Sequence, residues 1–322
     1  MTRRPRNVPV PVLPYSRLVG QDELRTTLEI AYVNPAVGGV LATGQRGTAK
    51  TTTVRAFSRM VSERLPVTLP IGATDDRVLG GWQIKKLMQG VAKPEVGLLV
   101  EAARSPARIL FVDEINLLDD YLVNIILDVV STGVLNVQRE GLAQELQQVR
   151  FNLIGTMNPD EGGLRPQLLD RFGLMADVAP EEDPEQRLRI IETVLRFEAE
   201  RATSGSTYLA KAKKADAAKR AELNAARALL PEVTHGKGTL AYCARLAAAF
   251  RVVGHRGDLV LSQASRALAA MEGTTEATPQ HVRRLARAAL AHRRSTTESG
   301  SVPPWTAEDD TLAESLLPDP AR

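Results

Sequence analysis

The segment GVLATGQRGTAKTTTVRAF, residues 39–57, joins a short apolar run to a glycine-containing loop and then to a helix-forming sequence. Backbone N–H groups in such a loop, together with the positive end of the following helix, form a site for phosphate. The loop is close to the pattern G-x-x-x-x-G-K-[ST], in which the lysine reaches the β- and γ-phosphates and the hydroxyl group binds Mg²⁺. It predicts a site for ATP and Mg²⁺, with Lys50 on the phosphates and Thr51 on the metal. The loop residues expected to contact the nucleotide are Gly44, Gln45, Arg46, Gly47, Thr48, Ala49, Lys50, Thr51 and Thr52.

One residue of the loop departs from the pattern, because Ala49 occupies the position of its last glycine. Gly44 and Gly47 remain at positions that need a positive φ or space for the backbone. We expect Ala49 to lie in the first turn of the helix, where alanine is a good helix former. Its dihedrals should then be right-handed, with the Cβ directed away from the phosphates, and a positive φ at Ala49 would contradict this expectation.

Acidic side chains follow a second apolar run, ILFVDEIN, at residues 109–116. Asp113 and Glu114 come at the carboxyl end of the predicted strand, where open α/β sheets bind their ligands. We expect Asp113 to hold Mg²⁺, directly or through a water, and Glu114 to polarise the attacking water as a general base. A further strand ends at Asn158, whose amide is expected to hydrogen-bond both that water and the γ-phosphate.

Two arginines complete the predicted catalytic set of Lys50, Glu114, Asn158, Arg171 and Arg256. Arg171, in the segment RPQLLDRFG, suits an arginine finger that stabilises transition-state charge from a neighbouring subunit. Arg256, in GHRGD, precedes a predicted helix of the second domain. We expect Arg256 to fold back on the γ-phosphate and to report the nucleotide state.

Apolar runs of strand type alternate with helical patterns up to about residue 180, which predicts a parallel α/β sheet flanked by helices. Beyond that point the pattern is helical and predicts a C-terminal helical lid domain. The predicted parts are a flexible arm over 1–15, a nucleotide-binding α/β domain over 16–180, a helical linker over 181–230, the lid over 231–294 and a flexible tail over 295–322.

Composition excludes several classes of protein. The net charge of +3 and the aromatic content of 4% do not favour a nucleic-acid-binding protein. The single cysteine, Cys243, excludes a disulfide within the chain, and we expect it to be a small buried residue. No apolar run approaches the roughly 18 residues of a membrane span, and the basic N-terminus lacks the apolar stretch of a signal peptide. We therefore expect a cytoplasmic protein without membrane contact.

The order of glycine loop, Asp-Glu pair, asparagine and arginine, followed by a helical lid with its own arginine, resembles the AAA+ ATPases. Within them the chain resembles the small ATPase subunit of magnesium chelatase over roughly residues 15–294. The segments DDRVLG and LRPQLLDRFG, at residues 75–80 and 164–173, are specific to that family and its close relatives. The resemblance implies inserted hairpins near residues 71–97 and 133–152, and it adds Val19 and Gly20 to the nucleotide site.

The resemblance also implies an assembly. Family members form rings, usually hexamers, with ATP between subunits, so Arg171 would act in trans. Their partner carries an integrin-like (VWA) domain, and with a large porphyrin-binding subunit they insert Mg²⁺ into protoporphyrin IX. The segment GGWQI, at residues 80–84, departs from the family's usual sequence in the first inserted hairpin.

Three alternatives remain beside an ATP-driven ring of the chelatase type. One is a remodelling ATPase, similar to the MoxR proteins, whose client is not a chelatase. Another is a nucleic-acid motor, which the charge and the aromatic content argue against. The last is a nucleotide-binding scaffold without hydrolysis, against which Glu114 and Arg171 argue.

Overall fold

The computed structural model describes residues 10–83, 86, 88–91, 93–139, 142–295 and 302–318. Within these residues, five parallel strands form one sheet. The strands are β1 (Val40–Thr43), β2 (Val67–Leu69), β5 (Ile109–Val112), β8 (Asn152–Met157) and β9 (Leu174–Asp177). Their order across the sheet is β2-β5-β8-β1-β9.

Both faces of this sheet are buried, because successive side chains of a strand point to opposite faces. In β1, Val40 and Ala42 belong to one hydrophobic cluster and Leu41 to the other, and β5 alternates in the same way. Helices on each face contribute further residues to these clusters. These helices are α1 (Asp22–Val33), α2 (Lys50–Ser62), α4 (Leu98–Arg104), α5 (Asp120–Thr132) and the short α6 (Pro166–Leu169). The predicted α/β sheet flanked by helices is confirmed.

Two antiparallel hairpins project from the chain between the strands of the main sheet. The first contains α3 (Asp75–Leu79), β3 (Gly80–Trp82) and β4 (Pro94–Val96). The second pairs β6 (Val134–Arg139) with β7 (Leu142–Gln148). The hairpins lie within the two segments, 71–97 and 133–152, where insertions are predicted.

The C-terminal part of the chain is helical and packs on the sheet domain, against α1, α2, β9 and the segment around Asp170. It comprises α7 (Pro184–Arg201), α8 (Thr207–Leu229), β10 (Thr234–His235), α9 (Thr239–Ala249), α10 (Arg256–Met271), β11 (Glu276–Ala277) and α11 (Pro279–Leu290). Cys243 is buried in α9, and burial raises its pKa to about 12. Among the described residues, none of the helices has the length and apolar character needed to cross a membrane.

The segment after the lid differs from the expectation of a flexible tail over 295–322. Residues 302–318 pack on the lid and contain α12 (Ala307–Ser315). The ring of Trp305 lies 4.6 Å from that of Phe250, and Tyr242 donates a hydrogen bond of 2.5 Å to the carbonyl of Ala313. The buried Ala313 and the partly buried Leu316 and Leu317 add apolar contacts, and Arg283 pairs with Glu314 at 2.8 Å.

Candidate functional site

The loop between β1 and α2 is held close to the end of β9. A Cβ at Gly44 would come within 2.1 Å of the carbonyl oxygen of Val178, so only glycine fits there. Gly44 and Gly47 have φ of 143° and 79°, which confirms the expected conformational role of both glycines. Thr48 closes the turn by donating to the carbonyl of Gln45 at 2.8 Å.

The expectation for Ala49 is wrong. Helix α2 begins at Lys50, and Ala49 is the junction residue before it, with φ of 61° and ψ of 16°. This left-handed conformation joins the loop to the first turn of the helix. Outside glycine this conformation costs roughly 1–2 kcal/mol, so Ala49 adds strain where the common pattern has glycine.

Ala49→Gly is therefore expected to raise the free energy of unfolding by roughly 0.5–1 kcal/mol, because the relieved strain exceeds the added entropy of glycine in the unfolded chain. Urea titration of both proteins measures the change. Ala218→Gly is the matched control, since Ala218 is an exposed residue inside α8. The control should lose about 1 kcal/mol, and a similar loss in Ala49→Gly would contradict this account.

Lys50 opens α2, and its side chain turns back over the loop. Nζ donates to the carbonyls of Gly44 and Gln45 at 2.5 and 2.7 Å, and to the hydroxyl of Thr48 at 3.2 Å. Partial burial lowers the pKa of Lys50, and the nearby carboxylate of Asp113 acts in the opposite direction. The ammonium group is thus placed at the centre of the loop, where a phosphate would contact it.

Asp113 and Thr51 meet beside this lysine, as the two motifs predict. The Thr51 hydroxyl donates to Asp113 Oδ1 at 3.1 Å and lies 3.3 Å from Oδ2. On the next strand, the buried Thr156 donates to Asp113 Oδ1 at 2.6 Å and accepts from the backbone N–H of Glu114 at 3.0 Å. A carboxylate and a hydroxyl are the hard oxygen ligands that Mg²⁺ prefers, so these residues fit the metal.

Glu114 is the second residue after β5, and it has φ of 54° and ψ of 57°. Such a conformation costs an L-residue free energy, and it persists where the surroundings enforce it. Here the hydrogen bond from the Glu114 N–H to Thr156 supplies part of that enforcement. Strained backbone of this kind clusters at active sites, which agrees with the role predicted for Glu114.

The predicted loop residues from Arg46 to Thr52, together with Asp113, Glu114 and Asn158, line one open cavity of about 370 Å³ at the carboxyl edge of the sheet, whereas Gly44 and Gln45 are not part of its lining. The cavity brings together the loop, the acidic pair and Asn158, which are far apart in sequence. Its lining consists of Arg46, Gly47, Thr48, Ala49, Lys50, Thr51, Thr52, Asp113, Glu114, Thr156, Met157 and Asn158.

Asn158 is buried at the end of β8 and has an acidic neighbour that the sequence did not suggest. Its Nδ2 donates to Glu161 Oε1 at 2.5 Å, and the same carboxylate oxygen accepts from Arg46 Nε at 2.5 Å. The hydrogen bond from Arg46, followed by the one from Asn158, lowers the pKa of Glu161. Glu161 therefore joins the glycine loop to the asparagine-bearing strand.

Arg171 lies at the opposite end of the sheet from the glycine loop. The N–H of Gly173 donates to the carbonyl of Gly39 at 2.8 Å, immediately before β1, whereas Gly44 follows the end of β1. Four strand residues span roughly 13 Å. Arg171 is thus separated from the phosphate cavity of its own chain by the length of β1, as a finger acting on a neighbouring subunit requires.

Arg256 is not placed as expected. It is the first residue of α10, and its guanidinium pairs with Asp170 Oδ2 at 3.3 Å, beside Arg171. The lid therefore holds Arg256 at the amino end of the sheet, away from the γ-phosphate site of its own chain. The sequence could place this arginine before a helix but could not orient the lid on the sheet domain.

Val19 and Gly20 precede α1 and do not line the phosphate cavity. Gly20 has φ of 70°, and a Cβ there would lie 3.9 Å from Glu181 Oε2, in the segment after β9. Glu23, in the first turn of α1, faces Arg287 of the lid at 3.8 Å. The predicted contact of Val19 and Gly20 with the nucleotide stays a prediction.

The sequence motifs did not predict a role in the site for two of its residues, Thr156 and Glu161. Thr156 stands in an apolar strand segment, LIGTMNP, where a single buried hydroxyl was the available signal. Glu161 follows the asparagine in NPDEG, and no motif of the sequence connects it with the glycine loop. Neither contact could be assigned without knowing that β8 lies between β1 and β5.

Comparisons with known proteins agree with this geometry. The sequence matches the AAA domain family (dynein-related subfamily) over residues 39–172 and the AAA lid domain family over residues 240–314. It is 37% identical over 321 residues to the magnesium-chelatase 38 kDa subunit of Chlorobaculum parvum, covering 87% of this chain and 90% of that protein.

Two further comparisons concern length and fold. An uncharacterised protein of Mycobacterium tuberculosis is 42% identical over 288 residues, covering 87% of this chain and 44% of its own length. The chain therefore spans less than half of that relative. A crystal structure of a protein from Cytophaga hutchinsonii has a TM-score of 0.66 at 16% identity, covering 94% of this chain and 90% of the other, which supports the fold.

Proposed function

This chain belongs to the family of the magnesium chelatase 38 kDa subunit, within the AAA+ ATPases, and we propose that it hydrolyses ATP as one subunit of a ring. The observation that carries the proposal is the junction of Thr51, Asp113 and Glu114 beside Lys50 in one open cavity. A nucleotide-binding scaffold without hydrolysis would need the phosphate loop but not a carboxylate fixed next to the metal ligands.

Each residue of the cavity has a separate task in this proposal. Lys50 and the loop N–H groups bind the phosphates, and Thr51 and Asp113 hold Mg²⁺, which when bound neutralises charge on the phosphate oxygens. Glu114 accepts a proton from the attacking water, and Asn158 orients that water. Thr156 fixes the side chain of Asp113 and the backbone of Glu114 relative to each other, because its hydroxyl is hydrogen-bonded to both.

The placement of the arginines supports the proposed ring. Arg171 and Arg256 lie together at the end of the sheet away from their own cavity. In a head-to-tail ring, the surface of one subunit meets a different surface of the next. We place Arg171 and Arg256 at the ATP bound by the neighbouring subunit, where they stabilise charge in the transition state. A hexamer is the ring size that the family resemblance implies.

The ring is proposed to drive a partner subunit with an integrin-like (VWA) domain, as the resemblance implies. Insertion of Mg²⁺ into protoporphyrin IX is the proposed outcome, with the porphyrin bound elsewhere in the complex. Among the described residues, no group of three or more histidine, cysteine, aspartate or glutamate side chains is arranged to hold a metal.

Steady-state ATP turnover with Mg²⁺ tests the proposal. The wild-type chain should hydrolyse ATP, and Lys50→Ala should lower turnover by roughly 10²–10³-fold, because one preorganised charge on the phosphates is lost. Lys211→Ala removes an exposed lysine of α8 and serves as the matched control with unchanged turnover. Absence of turnover in the wild type, or equal turnover in Lys50→Ala, would reject the proposal.

A further inference from the structure

Arg293, in the 3₁₀ turn after α11, has a side chain that is 0% exposed. Its Nε donates to Asp170 Oδ1 at 3.2 Å, and its terminal nitrogens donate to the carbonyls of Gly173 at 2.9 Å and Asp170 at 3.0 Å. The carbonyls of Phe172 and Ala289 accept two further hydrogen bonds. A guanidinium has five N–H donors, so each of them has an acceptor.

Most of these acceptors flank one residue, Arg171. The carbonyls of Asp170, Phe172 and Gly173 all point at the same guanidinium, and the Asp170 side chain is bound to it as well. The Arg171 side chain itself has a long contact, 3.5 Å, with the carbonyl of Asn124. The orientation of the Arg171 side chain is therefore set mainly by the backbone on either side of it.

Arg293 is also bound by hydrogen bonds to the lid itself. Its N–H donor to Ala289 ties the guanidinium to the last turn of α11, and its own carbonyl accepts from Val253 at 3.0 Å. Burial lowers the pKa of Arg293 to about 10, and the group stays charged at neutral pH. A buried charge with every donor satisfied is a rigid connection, because any shift leaves a buried donor unpaired.

We infer that Arg293 is a positioning residue for ATP hydrolysis: from the lid, it fixes the loop that carries Arg171 and so sets where Arg171 meets the ATP of the neighbouring subunit. The inference rests on the proposed function, in which Arg171 acts in trans. It gives the lid a direct mechanical connection to the finger, since movement of α11 must move residues 170–173 with it.

The test compares Arg293→Met with Arg171→Ala in steady-state ATPase assays and in nucleotide-binding titrations. Arg293→Met should lower kcat by roughly 100-fold, the effect of an ångström-scale misplacement of a catalytic group. Its Kd for ATP should stay within about twofold of the wild type, because Arg293 lies at the far end of the sheet from the cavity. Arg293→Lys, which keeps a charge beside Asp170, should lower kcat less.

Subunit mixing separates positioning from general damage. Arg293→Met has an intact phosphate cavity, and Lys50→Ala has an intact finger, so an equimolar mixture should regain turnover that neither variant shows alone. A mixture of Arg293→Met with Arg171→Ala should regain none. Wild-type kcat in both Arg293 variants, a matching loss of ATP affinity, or no recovery with Lys50→Ala would overturn the inference.

Arg294→Met is the matched control, because Arg294 is the next residue and its side chain is 9% exposed, but its contacts are with the tail, through Asp309 and Pro303. It should keep the wild-type kcat. The outcomes also distinguish this inference from the proposed function. If Arg171→Ala keeps full turnover, the trans arrangement fails; if Arg171→Ala loses turnover and Arg293→Met does not, the positioning role alone fails.

Discussion

Glu114→Gln lowers kcat for ATP hydrolysis by roughly 10²–10⁴-fold, the usual contribution of a positioned general base. Glutamine keeps the size of the side chain but cannot accept the proton of the attacking water. The backbone N–H of Glu114 still donates to Thr156, so the position of the side chain is preserved. The Kd for ATP should therefore change little, and the variant should hold ATP without consuming it.

Phosphate-release assays and ATP-binding titrations on the same preparation measure both quantities. Asp160→Asn is the control, because it removes an exposed carboxylate a few residues from the cavity and leaves Asp113 and Glu114 in place. Turnover in Glu114→Gln close to that of the Asp160→Asn control would show that Glu114 is not the base. Loss of binding together with turnover would instead assign Glu114 a structural part in the cavity.

Arg171→Ala should lower kcat by roughly 10³-fold or more, because an arginine finger stabilises the charge of the phosphoryl transition state. The variant should lose kcat and keep its affinity for ATP. Its own phosphate cavity is intact, and the missing finger would act on the ATP of the neighbouring subunit. Arg293 binds the backbone carbonyls on either side of Arg171 and not its side chain. The loop should therefore keep its structure when the Arg171 side chain is removed.

Steady-state kinetics of Arg171→Ala beside Arg104→Ala check this prediction. Arg104 is an exposed arginine at the end of α4, and its removal should leave turnover unchanged. If Arg171→Ala raised KM for ATP with kcat unchanged, the residue would contribute to ground-state binding and not to the transition state. Wild-type kinetics in Arg171→Ala would remove the arginine finger from the mechanism.

The sequence was sufficient for features that depend on local order along the chain. A glycine loop between an apolar run and a helix, and acids at the end of another apolar run, correctly predicted that Lys50, Thr51, Asp113 and Glu114 meet in one cavity. Parallel strands bring their carboxyl ends to one edge, so these residues needed no further information to be placed together.

The predictions were wrong for residues whose conformation or position depends on how two elements of the fold are arranged relative to each other. Ala49 was expected in the helix because alanine favours helices, but the junction requires a left-handed residue whatever its propensity. Arg256 was expected at its own γ-phosphate because it opens a lid helix, but the docking of the lid turns that helix toward Asp170. The roles of Thr156 and Arg293 depend on contacts across the fold and leave no periodic pattern in the sequence.

ATP turnover by a mixture of two inactive variants tests the central claim most directly, namely that each active site is shared by two subunits. Lys50→Ala lacks a working phosphate cavity and Arg171→Ala lacks the finger. In an equimolar random ring, roughly a quarter of the interfaces combine an intact cavity with an intact finger. The mixture should therefore reach up to about a quarter of wild-type turnover, whereas each variant alone stays near background. Turnover of the mixture no higher than that of the separate variants would contradict the shared site.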